Sequence, residues 1–337
     1  MTSACIFGCA GQTLSADERD FFRDAKPWGF IVFRRNIETP EQLRALVDGL
    51  RETVGRADAP VLIDQEGGRV QRMGPPHWPK YPPARLYGKA GSDPLTRREI
   101  ARLGARLIAH DLHAVGINVD CVPMLDVPQP GAHEIVGDRA YGTDADSIAL
   151  LGRAQAEGLI AGGVLPVIKH MPGHGRAGAD SHEALPVVDA SYAELEAVDF
   201  APFRALSDMP MGMSAHVVYT SVDAKHPGTT SRKVIHKVIR KEIGFSGLLM
   251  TDDLSMKALS GDFGARTRDA LKAGCDVVLH CNGVMDEMQA VARAVPKLAG
   301  RSKRRAEAVT GRLAKTPEPF DVEEGRRRFA QAFEAAA

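Results

Sequence analysis

Pro166-Val-Ile-Lys-His-Met-Pro-Gly-His-Gly-Arg-Ala-Gly-Ala-Asp-Ser-His182 joins a short apolar run to a loop that crowds a lysine, three histidines and an aspartate into fourteen positions. The run reads as a buried strand and the loop as a place for chemistry. Ordering so many ionisable groups on a glycine-rich segment costs conformational entropy, which binding or catalysis must offset.

Working outward, the same unit recurs. Short β-branched or apolar runs lie at 4–7, 29–33, 60–64, 117–122, 164–168, 211–215, 247–251 and 276–280, with amphipathic helical patterns between them. In one of these patterns Ile100, Leu103, Leu107 and Val115 lie near one helical face, with Thr96 placed to cap the start and Gly116 to stop it. Strand and helix alternating in this way means parallel strands joined by crossovers, and eight repeats match the size of a (β/α)8 barrel. The predicted fold is therefore α/β, a single-domain (β/α)8 TIM barrel over residues 1–337, with 300–337 as a C-terminal helical extension. An open doubly wound sheet is the alternative. The Pro-rich stretch Gly74 to Pro83 and the loop Pro128 to Gly142 both follow predicted strands, the side on which a barrel carries its active site.

Lysine plus arginine and aspartate plus glutamate balance at 43 each, so there is no basic excess to attract nucleic acid. The first residues lack a basic region and a long apolar run, so neither a signal peptide nor a membrane span is expected, and the cytoplasm is the expected location. The cysteines at 5, 9, 121, 275 and 281 form no CxxC pair and read as buried thiols.

Polar residues fall immediately after predicted strands: Asp64-Gln-Glu66, Lys169-His170, Ser214-Ala-His216 and Thr251-Asp-Asp253. In a barrel these converge on one mouth, which scattered surface charges would not do. Gly173 to Gly178 formally matches GxGxxG, but Pro172 precedes it and a poor helix start follows, so no nucleotide site is expected. His170, His174, Asp180 and His182 could hold a metal, making a metal-dependent hydrolase an alternative; Lys169 beside them argues against it, and no metal or other cofactor is expected. His110 and His113 lie on a helix and receive no role. Asp180 and His182 are two apart, so a bend brings the carboxylate to the imidazole and makes His182 a candidate acid/base. Asp252 ends a strand and is aimed into the mouth as a candidate nucleophile, whereas Asp253 points the other way.

Six ordered motifs carry a family resemblance: Gly29-Phe-Ile-Val-Phe-Arg-Arg-Asn-Ile37, Asp64-Gln-Glu-Gly-Gly-Arg-Val-Gln-Arg72, Asn118-Val-Asp-Cys-Val-Pro-Met-Leu-Asp126, Val136-Gly-Asp-Arg-Ala-Tyr-Gly142, Lys169-His-Met-Pro-Gly-His-Gly175 with Asp180-Ser-His182, and Thr251-Asp-Asp-Leu-Ser-Met256. With them the chain resembles glycoside hydrolase family 3 over nearly its whole length, and more narrowly the family's bacterial β-N-acetylglucosaminidases of peptidoglycan recycling. The resemblance implies retaining hydrolysis, with Asp252 as nucleophile and His182, oriented by Asp180, as acid and then base. It implies that Asp64, Arg72, Arg139, Lys169 and His170 bind the terminal sugar; a loop-bracing salt bridge is the bland alternative for the two arginines. The implied substrate is N-acetylglucosaminyl-β-1,4-anhydro-N-acetylmuramic acid, free or as a muropeptide, cleaved by a cytoplasmic monomer. Phosphorolysis and noncatalytic sugar binding are the competing readings. Met171 replaces the usual phenylalanine, and His280 at the end of the eighth strand departs from the family pattern. The glycines 173, 175 and 178 are expected to act as hinges of a loop that closes on the sugar.

Overall fold

The computed structural model describes residues 1–131, 133–181 and 183–334. The eight predicted strands are present: β1 (Ser3–Gly8), β2 (Pro27–Val32), β3 (Val61–Ile63), β4 (Val119–Asp120), β5 (Leu165–Met171), β6 (Met211–Ser214), β7 (Leu248–Asp253) and β8 (Val277–His280). Each pairs in parallel with its neighbours in chain order, and β1 pairs with β8, closing the barrel. The fold is a (β/α)8 TIM barrel.

Alternation along the strands divides the apolar residues into two populations. Ile6, Leu62, Val167, Met213, Met250 and Leu279 belong to one cluster inside the barrel, whereas Cys5, Phe7, Val61, Ile63 and Val278 join the cluster beneath the helices. Burial on both faces is why these strands read as continuous apolar runs rather than alternating ones. All five cysteines are buried and free.

Helix ends are set by local chemistry. Thr39 accepts from Gln42 N ahead of the helix Pro40–Val54, and Gly55 ends it in the left-handed region at φ 62°. The helix Pro94–Ala114 corrects one expectation: its cap is Asp93, which accepts from Leu95 N at 3.0 Å and Thr96 N at 3.1 Å. Thr96 lies inside the first turn, because Pro94 has the fixed φ of a first helical residue. At the far end of the chain, Ala306 and Val309 of the helix Gly300–Leu313 join Ala4, Trp28, Leu165 and Met211 at the strand starts, covering the bottom of the barrel. The last helix, Val322–Glu334, sets Phe329 and Phe333 against Tyr87, with ring centroids 6.1 and 5.4 Å away. Among the described residues, no helix is long and apolar enough to cross a membrane.

The helices Pro94–Ala114 and Ala145–Ala161 approach closely at Gly158, where an added Cβ would overlap the Arg102 carbonyl and meet Ala105 Cβ at 2.8 Å. Glycine to alanine in a free helix stabilises by about 1 kcal/mol. Here Gly158→Ala is expected to destabilise by about 1–3 kcal/mol through overpacking. Equilibrium denaturant unfolding reads the sign directly, and a gain would contradict this account of the packing.

Candidate active site

The C-terminal mouth of the barrel holds a cavity of about 180 Å³. That is below the ~300–1,000 Å³ typical of sites for drug-sized ligands, so it suits one small polar ring better than a long chain. Asp64, Arg72, Arg139, Lys169, His170 and Asp252 all line it.

Five of its side chains form a continuous line of alternating charge. Arg72 Nη2 lies 3.1 Å from Asp64 Oδ2, and Lys169 Nζ donates to Asp64 Oδ1 at 3.0 Å. The same ammonium lies 2.7 Å from Glu66 Oε1, and Arg139 holds Glu66 with two bonds of 2.8 Å. Burial would raise the Asp64 carboxyl, but Lys169 and Arg72 outweigh it and hold the group below its ordinary value. Burial acts likewise on Glu66, and Arg139 and Lys169 overcome it to keep the carboxyl well below the usual range. Lys169 would lose its proton more readily through burial, yet Asp64 and Glu66 raise it above its ordinary value. All three charges are therefore fixed before any substrate arrives. The predicted loop-bracing role of Arg139 and its position on the cavity wall coexist in one residue: its guanidinium ties the Pro128 to Gly142 insertion to Glu66. Arg72 Nε is buried without a partner among the described residues.

Glu66 carried no predicted role, although it follows Asp64 at a strand end. Period-two alternation would have found it, since residues two apart share a face. Beneath it, burial pushes the Asp120 carboxyl up to about 8, and its Oδ1 accepts from Gln65 N at 2.9 Å.

On the opposite side, Asp126 organises two histidines. Its Oδ2 lies 2.7 Å from His170 Nδ1, and its Oδ1 accepts from His174 N at 2.6 Å. Burial alone would raise Asp126, but His170 holds it below its ordinary value. With Nδ1 taken by Asp126, the other ring nitrogen of His170 is presented to the cavity, 4.0 Å from Asp252 Oδ2. His174 also lines the cavity; burial lowers its imidazole to about 4, so it is neutral near pH 7, and its Nε2 is buried without a partner among the described residues. From sequence Asp126 had no role and His174 only that of a candidate metal ligand; their place inside quoted motifs was the remaining signal.

The strand pair β7–β8 aims Asp252. Thr251 Oγ1 accepts from Leu279 N at 2.9 Å, while Asp253 Oδ1 accepts from Ser255 N at 3.0 Å and Cys281 N at 3.1 Å. Asp253 is thus consumed by backbone, as alternation requires, although part of it also reaches the cavity wall. His216 is buried between Thr229 Oγ1 at 2.7 Å and the Asp253 carbonyl at 3.0 Å, a structural position. His280 is buried too, 2.9 Å from Glu287 and edge-on to the rings of Phe7 and Phe263.

The loop after β5 is tied at several points. Tyr219 donates to Gly173 O at 2.7 Å, Arg176 Nε to Asp199 Oδ2 at 2.6 Å, and Ala258 N to Ser181 O at 3.2 Å. Asp199 belongs to a widened helical turn, Leu195–Asp199, which brings it against the loop. Burial pushes its carboxyl up to about 6 against the pull of Arg176. A side chain at Gly175 would overlap the Val127 carbonyl, and one at Gly173, whose φ is 138°, would meet Asp199 Cβ at 2.9 Å, so close approach requires glycine at both. Only Gly178 has open space around it. The carbonyl of Asp180 accepts from Glu183 N at 2.9 Å and Ala184 N at 3.0 Å, closing a turn beside Ser181, which lines the cavity. The candidate acid/base His182 lies outside the described residues.

The glycosyl hydrolase family 3 N-terminal domain model matches residues 10–315. The chain is 38% identical over 278 residues to the beta-hexosaminidase of Bordetella parapertussis, covering 81% of this chain and 78% of that one. It is 39% identical over 282 residues to the beta-hexosaminidase of Methylococcus capsulatus, covering 82% of each. Among solved structures, NagZ from Neisseria gonorrhoeae in complex with N-trifluoroacetyl-D-glucosamine superposes with a TM-score of 0.84 at 29% identity, covering 99% of this chain and 97% of that one.

Removing the central cation tests the charge line. Lys169→Met leaves Asp64 and Glu66 buried without their ammonium, a loss of about 3–5 kcal/mol for a broken buried pair. Both carboxyls are depressed from ordinary values of 3.8 and 4.5, so their contribution is complete above the higher value and fades as pH falls through the depressed ones. The stability gap between wild type and variant is therefore expected to be widest above about pH 5 and to narrow in acid. Denaturant unfolding across pH measures it; a gap that widens in acid would contradict the assignment.

Proposed function

Since the chain belongs to glycosyl hydrolase family 3, we propose that it is a retaining exo-β-N-acetylglucosaminidase that removes a non-reducing terminal N-acetylglucosamine. The observation that carries this reading is the Asp252 carboxylate at the end of β7, facing a cavity for one small ring, with Oδ1 accepting from Asp253 N at 2.8 Å and Oδ2 4.0 Å from His170 Nε2. The beta-hexosaminidase relatives, and the binding of an N-acylated glucosamine by the Neisseria NagZ, support the same sugar.

In the first step Asp252 attacks the anomeric carbon as the bond to the leaving oxygen breaks, giving a glycosyl-enzyme. His182 donates a proton to that oxygen. In the second step His182 accepts a proton from water, whose oxygen attacks the anomeric carbon and releases Asp252, so one group serves as acid and then base. Asp180, at the turn, orients the imidazole and raises its affinity for the proton. A histidine needs less elevation than a carboxyl to hold a proton near neutral pH. The sugar hydroxyls bond to Asp64, Lys169 and Arg72, with Arg139 fixing Glu66 behind them and His170 on the side of Asp252. Because Asp64 and Lys169 are ionised and positioned in advance, little reorganisation is needed on binding.

The natural substrate in this proposal is N-acetylglucosaminyl-β-1,4-anhydro-N-acetylmuramic acid, with or without its stem peptide. In this proposal the protein acts in peptidoglycan recycling, in the cytoplasm and as a monomer.

The test is release of N-acetylglucosamine from a chromogenic β-N-acetylglucosaminide, with and without chelator and phosphate. Chelator-resistant and phosphate-independent turnover is expected; a phosphate requirement would make it a phosphorylase, and loss to chelator would revive a metal site. Asp252→Asn is expected to lose at least about a thousandfold in kcat with the fold kept. In His182→Ala, an activated aryl leaving group is expected to depart in a rapid burst followed by slow turnover, since only the second step still needs the base. Equal slowing of both steps would remove His182 from the role.

A further inference from the structure

A second cleft, of about 740 Å³, lies between the Pro-rich stretch Gly74 to Pro83, the short helix Ala84–Tyr87 and the last helix, Val322–Glu334. It shares no lining residue with the sugar cavity. Its volume falls within the ~300–1,000 Å³ of sites for drug-sized ligands.

The walls are held in place before any ligand arrives. Gln71 Nε2 donates to Pro79 O at 2.7 Å, Gln71 Oε1 accepts from Tyr81 N at 2.9 Å, and Tyr81 O accepts from Gly68 N at 2.9 Å. Pro79, Pro82 and Pro83 add backbone of fixed φ. Across the cleft the rings of Phe329 and Phe333 pack at 4.9 Å, and Phe329 lies 6.1 Å from Tyr81.

The lining divides by chemistry. Pro82, Pro83, Leu86, Leu107, Phe329 and Phe333 make it apolar, and Leu86 is left 40% exposed. Two of the polar groups are already engaged: Tyr81 Oη donates to Asp111 Oδ2 at 2.6 Å and Arg326 Nη2 to Asp111 Oδ1 at 2.7 Å. That leaves the ammoniums of Lys80 and Lys89, both exposed. Among the described residues neither enters an ion pair, and no carboxylate lines the cleft. An apolar trough with two unneutralised cations calls for a ligand with an apolar body and an anionic group. A second copy of this chain does not fit, because a two-fold contact here would bring four lysines together with no carboxylate of the cleft to receive them.

We infer that this cleft binds a small amphipathic carboxylate, an aliphatic or aromatic acid whose apolar body packs on Phe329 and Phe333 and whose carboxylate is held by Lys80 and Lys89. The site stands apart from the glycosidase reading and does not depend on it. Burial of the apolar body supplies most of the affinity. The exposed ammoniums select the sign of the charge, so the selection weakens with salt.

Isothermal titration calorimetry of the full chain with monomeric decanoate tests it, beside decyltrimethylammonium, which joins a decyl chain to the opposite charge. One decanoate per chain is expected, with a Kd below about 1 mM at low salt, and the cation is expected to bind at least about tenfold more weakly. Ala330→Trp, at an exposed helix position that lines the cleft, is expected to abolish binding by filling it. Lys80→Glu combined with Lys89→Glu leaves the apolar walls intact and is expected to weaken decanoate about tenfold and to remove the discrimination against the cation. No saturable binding to wild type, equal affinity for the two compounds, or binding that either variant leaves unchanged would overturn the site. Sedimentation of the unliganded protein checks the other occupant: a dimer that is lost in Ala330→Trp would assign the cleft to a second copy and overturn the ligand.

Discussion

Everything at the mouth of this barrel depends on one buried ammonium. Lys169 bridges Asp64 and Glu66, at 3.0 and 2.7 Å, and through them joins Arg72 and Arg139 to the same line. Two carboxylates of one sign would not remain ionised so close together in a buried site without it. Because they do, the site presents fixed acceptors and donors to a ligand, and the Pro128 to Gly142 insertion is locked to the barrel through Arg139. Lys169 and Arg139 come from elements distant in sequence from Asp64 and Glu66, so the line is both a binding surface and a tertiary clamp.

Asp126 does the corresponding work for the reacting side. It takes His170 Nδ1 and the His174 amide, which leaves the other face of His170 toward Asp252. Asp252 owes its direction to its neighbours, since Thr251 and Asp253 spend their side chains on the backbone of β8 and of the following turn. A nucleophile needs such positioning: adjacent groups hold the strand, and the Asp253 amide, donating to Asp252 Oδ1 at 2.8 Å, fixes the carboxylate itself.

The strands were legible because a parallel barrel buries both of their faces, which turns each into a short uninterrupted apolar run. Their ends were less legible. The fifth strand continues through Lys169 and His170 to Met171, where polarity suggested a loop, because those side chains are satisfied by Asp64, Glu66 and Asp126. The expected cap on Thr96 gave way to Asp93, which stands immediately ahead of Pro94 and accepts from the first turn. In the site, residues at strand ends could be read from position alone. The bond between Arg139 and Glu66 could not, as no spacing tells how a long insertion folds back. The glycines of the histidine loop illustrate the same limit: sequence reports freedom at Gly173 and Gly175, while packing against Asp199 and Val127 is what requires them.

The proposed mechanism requires a covalent bond between Asp252 and the sugar. The most direct measurement is mass spectrometry of the protein after reaction with a 5-fluoro-N-acetylglucosaminyl fluoride, a substrate analogue whose glycosyl-enzyme breaks down slowly. The account predicts a single glycosyl adduct on the peptide containing Asp252, absent from Asp252→Asn. An adduct on Asp253 or Glu66 instead, or turnover of the analogue with inversion at the anomeric carbon and no adduct, would contradict it.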